Sequence, residues 1–178
     1  MTLDEGRLPT EVKVGREIHS RVDPREISNA VLTGYYLALW RHDAPAIARG
    51  DFEALSGRPD RRNFLTALLN TRTPEEFESL ERAVNGDIEF LGYGPITDFG
   101  RPSITVTAGL GRISDIQIDP RWAGATQPSY IGYDLIECAN QIRRQRPEFR
   151  DDDGWSDRSE SDLEKELQEY KRYLERNS

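Results

Sequence analysis

Arg143, Arg144 and Arg146 stand close together near the end of a helical stretch. Guanidinium groups grouped in this way can contact phosphate oxygens, so the three form a candidate nucleic-acid patch. The plainer reading is a helix carboxy terminus, where the macrodipole favours cations and the acidic run Asp151–Asp153 lies close by. Arg58, Arg61 and Arg62 form a second small cluster that reads as a solvated face. Catalytic chemistry finds less to work with. His19 and His42 are the two histidines and Cys138 the single cysteine, so neither a nucleophile–base pair nor a metal-ligating cluster can be assembled. No catalytic residue, metal ligand or cofactor is therefore expected. His42 beside Asp43 reads as a helix cap, and Cys138 beside Ala139 as a packed core thiol. Gly109-Leu110-Gly111-Arg112 joins two strands rather than a strand to a helix, which sets it apart from a phosphate loop. Among the tryptophans, Trp40 reads as core and Trp122 as an exposed anchor for a partner.

The elements that would position these groups centre on Pro102–Arg121. Ile104, Val106 and Ala108 alternate with Ser103, Thr105 and Thr107, the period of a half-buried strand. Gly109 and Gly111 offer positive φ for a hairpin, Ile116 and Ile118 resume the alternation, and Asp119-Pro120 stops it. Ser129 can then cap a helix to Arg146 whose apolar face is Ile131, Leu135, Ala139 and Ile142.

Ahead of this unit, residues 1–8 read as a frayed end. Val12, Val14, Ile18 and Val22 fit a strand, or a hairpin turning at Gly15. Asp23-Pro24-Arg25-Glu26 predicts a helix to about Arg41 that buries Ile27, Val31, Tyr35 and Leu39. The spacing of Gly15-Arg16 and Asp23-Pro24-Arg25 repeats in Gly111-Arg112 and Asp119-Pro120-Arg121, so the chain carries either an internal duplication or a reused turn-and-cap vocabulary. Pro59-Asp60 precedes a short amphipathic helix with Phe64, Leu65, Leu68 and Leu69. Thr73-Pro74-Glu75-Glu76 opens another, which buries Phe77, Leu80 and Val84 and ends at Asn85-Gly86. Ile88 and Phe90 make a strand, and Gly92–Arg101 a loop.

Beyond Pro147 the composition turns acidic, with 11 acidic and 6 basic residues from Glu148 onward. Ser161 can cap a tail helix whose Leu163, Leu167, Tyr170 and Leu174 form a seam of two heptads. So short a helix needs a partner face: it docks back on the domain, or those four residues contact another chain. The resulting division is 1–72, 73–147 and 148–178.

The 178 residues carry a net charge of −8, with 21 arginines and 3 lysines, which disfavours generic attraction to phosphates. The apolar run around Ala30–Trp40 is too short to span a bilayer and no basic-then-apolar leader opens the chain, so a cytoplasmic setting is expected.

Three stretches carry a family resemblance: Ser103–Ala108, Gly111–Pro120 and the helix from Ser129 to Arg146. Together they resemble the YbaB/EbfC nucleoid-associated family, over roughly residues 74–146. The resemblance implies an α+β fold with an α-β-β-β-α core, dimerised through its sheet, and nucleic-acid binding in some members. Relatives of that fold also occur as accessory proteins of actinobacterial secretion systems. The chain departs from the pattern in its short first helix, its additional amino-terminal β-α unit and its acidic tail helix. The expectation is a non-enzymatic macromolecule-binding protein, an interaction or assembly factor with a protein partner or self-association. The alternative is a DNA-binding protein using Arg143, Arg144 and Arg146, and no small-molecule substrate is implied.

Overall fold

The computed structural model describes residues 1–149 and 153–177 and shows an α+β protein. Its amino terminus belongs to the core, against the expectation of a frayed end. Thr2–Leu3 (β1) pairs antiparallel with Pro9–Glu11 (β2), and Leu8 between them is almost fully buried. Asp4 closes this turn by accepting a hydrogen bond from the Leu8 amide at 2.8 Å. The predicted strand from Val12 to Val22 does not form. Ile18–Arg21 (α1) is a single helical turn, held by local bonds such as Val22 N to Ile18 O at 2.8 Å. Residues 9–41 therefore lack the hairpin present in 102–146, and no duplication of topology is seen. What does repeat is the cap: the Asp23 carboxylate accepts from Arg25 N, and the Asp119 carboxylate from Arg121 N, each at 2.8 Å.

After a 3₁₀ turn at Pro24–Glu26, Ile27–Arg49 (α2) buries Ile27, Val31, Tyr35 and Ala38, while Leu39 is only half-buried. The helix continues past Arg41 and through Pro45, ending at Gly50 in the left-handed region. Arg61–Leu69 (α3) is capped by Asp60, and Pro74–Asn85 (α4) opens with the expected Thr73 cap, whose Oγ1 accepts from Glu76 N at 3.2 Å.

Phe90–Tyr93 (β3), Ile104–Ala108 (β4) and Ile113–Ile118 (β5) form an antiparallel meander, with Val106 opposite both Gly92 and Ile116. Ile104, Val106, Ala108, Ile113, Ile116 and Ile118 are its buried residues. The expected alternation thus gives one covered face. Gly109 and Gly111 do not take positive φ; Gly111 is needed because the backbone of Gly57 lies against it, a side chain there meeting Gly57 Cα at 3.1 Å. Pro120–Ala125 (α5) starts at the Asp119 cap, and Pro128–Gln145 (α6) follows. Gln127, not Ser129, stands at the start of α6, because Pro128 suits a first-turn position with no amide to satisfy. α6 crosses β3 and β4 and also meets β2, while α2 packs on β5. At β3 the helix backbone comes so near that a Cβ on Gly92 would lie 2.3 Å from Cys138 O.

Glu160–Asn177 (α7) is the tail helix. The chain divides into a sheet unit, Met1–Gly57 with Glu89–Arg146, and a helical unit, Arg58–Ile88 with Pro147–Ser178. This differs from the expected 1–72, 73–147 and 148–178. The buried side of the sheet is covered by α2 and α6, so α4 does not serve as the first helix of that core; its Phe77 instead joins Leu65, Leu68, Leu163, Leu167 and Leu174. Among the described residues no helix is long and apolar enough to cross a membrane.

Candidate functional site

The arginines at the end of α6 do not form a common phosphate patch. Arg143 donates from Nε to Asp4 Oδ2, from Nη1 to Asn140 Oδ1 and from Nη2 to Pro9 O, each at 2.6 Å. Arg146 donates from Nη1 to Gly6 O at 2.7 Å and from Nη2 to Gly109 O. Burial pulls the pKa of Arg146 down to about 10, which leaves it charged at neutral pH, and its Nε has no partner. Arg144 alone points outward, loosely paired with Glu137 at 3.4 Å. The first two therefore clamp the 4–9 turn to α6, and Arg146 also holds the β4–β5 hairpin.

Arg7, inside that turn at φ +57°, completes the clamp. It pairs with Asp43 at 3.0 Å and donates to the carbonyls of Ala54 and Leu55. Tyr35 then donates its hydroxyl proton to Arg7 O at 3.2 Å and accepts from Ile113 N at 2.9 Å. Burial raises the Tyr35 pKa.

Both outer strands of the sheet are met by helix side chains. Gln141 exchanges two hydrogen bonds with the backbone of Tyr93, at 2.9 and 2.8 Å, and Gln145 does the same with Leu91 at 3.3 and 2.7 Å. Spaced four apart on α6, these amides imitate a neighbouring strand along β3. On β5, Ile118 N donates to Ser28 Oγ at 2.9 Å, alongside the Ile113–Tyr35 bond. Extending the sheet into a second molecule along β3 would break four of these bonds.

The remaining sequence-derived contact residues fare unequally. Leu163, Leu167 and Leu174 are buried and Tyr170 half-buried against α3 and α4, with the Tyr170 hydroxyl donating to Thr71 O at 2.5 Å. That seam is internal packing, so it is not a free contact surface; the cap of α7 is Ser159, whose Oγ accepts from Asp162 N, rather than Ser161. The second arginine cluster serves the same unit: Arg62 donates to the carbonyls of Trp155 and Arg158, and Arg61 pairs with Glu164. Trp122 is half-buried and forms one wall of a groove of about 300 Å³ with Ile96, Tyr130 and Asp134. Asp134 accepts from Ser103 Oγ there at 2.5 Å.

Trp40 is the opposite case. Expected in the core, it is 65% exposed, and Tyr36, Leu37 and Ile47 are exposed with it along the outer side of α2. The helix is apolar on two sides: Ile27, Val31, Tyr35 and Ala38 face inward, and these four face out. In the sequence the inner stripe is legible, and Trp40 by its type reads as core. The missed signal is that Tyr36, Leu37 and Trp40 fall about a third of a turn or more from that stripe. Among its exposed positions α2 carries Arg41 and Arg49 and no carboxylate.

His19 donates from Nε2 to Ala123 O at 2.8 Å, and His42 Nδ1 lies 3.1 Å from Asp43 Oδ1. Cys138 is fully buried, and burial pushes its thiol up to about 12. Each is held as a packing or hydrogen-bonding group, and the two histidines and the thiol are not brought together. Searches against protein-family models, curated proteins and solved structures find no match to this chain.

Proposed function

We propose that this protein is a non-enzymatic interaction or assembly factor that binds another protein through the outer face of α2. One observation carries this reading. Tyr36, Leu37, Trp40 and Ile47 lie on the outer side of α2 and face solvent. Exposed apolar residues grouped in this way mark contact surfaces, and tryptophan is the residue type that dominates such contacts. One side of a helix is complemented by a second helix laid beside it. The partner chemistry follows from charge: with Arg41 beside these residues and no exposed carboxylate on α2, the fitting surface is an amphipathic helix with an acidic flank. A symmetric pairing of two copies would bring the two Arg41 side chains together, which opposes self-association there.

A YbaB-like dimer built by extending the sheet would first have to displace the glutamines along β3. The DNA-binding alternative loses Arg143 and Arg146 to internal hydrogen bonds and keeps only Arg144 of its three residues.

The test is site-specific photo-cross-linking in the native cell, with the photoreactive residue at position 40 or, as control, at Gln117 on β5. The expected result is a cross-link at position 40 to a distinct protein, lost when Leu37 and Ile47 are changed to glutamate while unfolding temperature is unchanged. Cross-links only to a second copy of the chain, or none above the Gln117 control, would overturn the reading. Salt-dependent DNA binding that disappears in Arg144→Gln would favour the alternative.

A further inference from the structure

The two Asp-Pro-Arg caps meet in space, and their meeting creates a recess that the proposed function does not use. The turn after Asp23 packs on α5: Pro24 Cγ lies 3.2 Å from where a side chain on Gly124 would begin, and His19 anchors to Ala123 O. Arg25 and Arg121, each following its Asp-Pro, are thereby brought to one recess of about 350 Å³, together with Arg101, Phe99, Asp119 and Pro120. Arg121 lies over the Phe99 ring at 5.7 Å, which holds its guanidinium at the rim.

We propose that this recess binds a phosphate monoester. Arg25, Arg101 and Arg121 are exposed, and among the described residues none of their guanidinium groups has an ion pair or a hydrogen bond. Arg16, Arg41, Arg49 and Arg112 of the same unit are exposed and unpaired as well, so what sets Arg25, Arg101 and Arg121 apart is that all three line one recess. In a chain of net charge −8, three unpaired guanidinium groups converging on one hollow form a local field opposite to the whole. Asp119 lies at the same recess, but its carboxylate is already engaged by the amides of Arg121 and Trp122 at 2.8 and 3.0 Å. Three cations and one carboxylate leave about two positive charges, which matches the charge of roughly −1.5 to −2 on a phosphate monoester at neutral pH. Planar guanidinium forks suit its oxygens. A nucleic-acid strand fits less well: its phosphates extend beyond the recess into the field of a chain that is acidic overall.

The monoester could be a free small molecule or a phosphorylated side chain, and the experiment separates the two. Amide NMR of the full chain is titrated with inorganic phosphate, phenyl phosphate, and a phosphoserine peptide beside its unphosphorylated form. Saturable shifts at Arg25, Phe99, Arg101 and Arg121 are expected, with affinity reduced at least about ten-fold in Arg101→Gln/Arg121→Gln. Both positions are exposed, so far-UV circular dichroism should not change in that variant. Tighter binding of the phosphopeptide than of phenyl phosphate assigns the site to phosphorylated proteins; the reverse order assigns it to small phosphate esters. Shifts that are absent, spread over the chain or unchanged in the double variant would overturn the proposal. So would a single-stranded oligonucleotide that binds more tightly than every monoester.

Discussion

Replacing Arg146 with alanine separates a structural clamp from a phosphate contact. Its guanidinium is buried deeply enough to lower its pKa to about 10, and two of its nitrogens hold the carbonyls of Gly6 and Gly109. Hydrogen bonds involving a charged group contribute about 1.5–3 kcal/mol each. Relief from burying a guanidinium whose Nε is unpartnered offsets part of that sum. The net cost of Arg146→Ala should therefore be about 2–4 kcal/mol, a fall in Tm of roughly 8–16 °C at about 4 °C per kcal/mol. Arg144→Ala, which removes only an exposed pair, should change stability by less than about 0.5 kcal/mol. Thermal and urea unfolding followed by circular dichroism provide the comparison. The reasoning fails if Arg146→Ala is as mild as Arg144→Ala, or if all three arginine variants weaken DNA binding equally with Tm unchanged.

Three further outcomes are expected. Gly92→Ala places a methyl 2.3–2.8 Å from backbone atoms of Cys138, which no rotamer change can relieve; it should cost about 1–3 kcal/mol and speed amide exchange at Leu91 and Tyr93. Cys138 should resist thiol reagents at pH 8 in the native protein. Its folded pKa of about 12 lies above the ordinary thiol value of 9.0, so its contribution is fully present below about pH 9 and is lost as pH rises toward 12. Cys138→Ala should flatten that alkaline slope, read from urea midpoints across the range. Leu167→Ala in the core of the helical unit should cost about 2–4 kcal/mol and shift the emission of Trp155, which packs on the same cluster. An unchanged urea midpoint in that variant would contradict the docked position of α7.

Local chemistry could be read from the chain alone. The alternation in Ile104–Ala108, the Asp119 and Thr73 caps and the four-three-four spacing of Leu163, Leu167, Tyr170 and Leu174 each specify an element by contacts within a few residues. Partnership between elements could not be read that way. A charged, Gly-containing start resembles a loose end, but Arg143 and Arg146, more than 130 residues away, give its carbonyls and Asp4 their partners. α4 has the position of a first core helix in sequence, but which apolar face it meets depends on surfaces that α2 and α6 cover first. Trp40 has the composition of a core residue, and only the orientation of α2 on β5 turns it outward. Hydrogen bonds within a turn are set by neighbours in the chain. Burial, exposure and the convergence of Arg25, Arg101 and Arg121 are set by how distant segments pack.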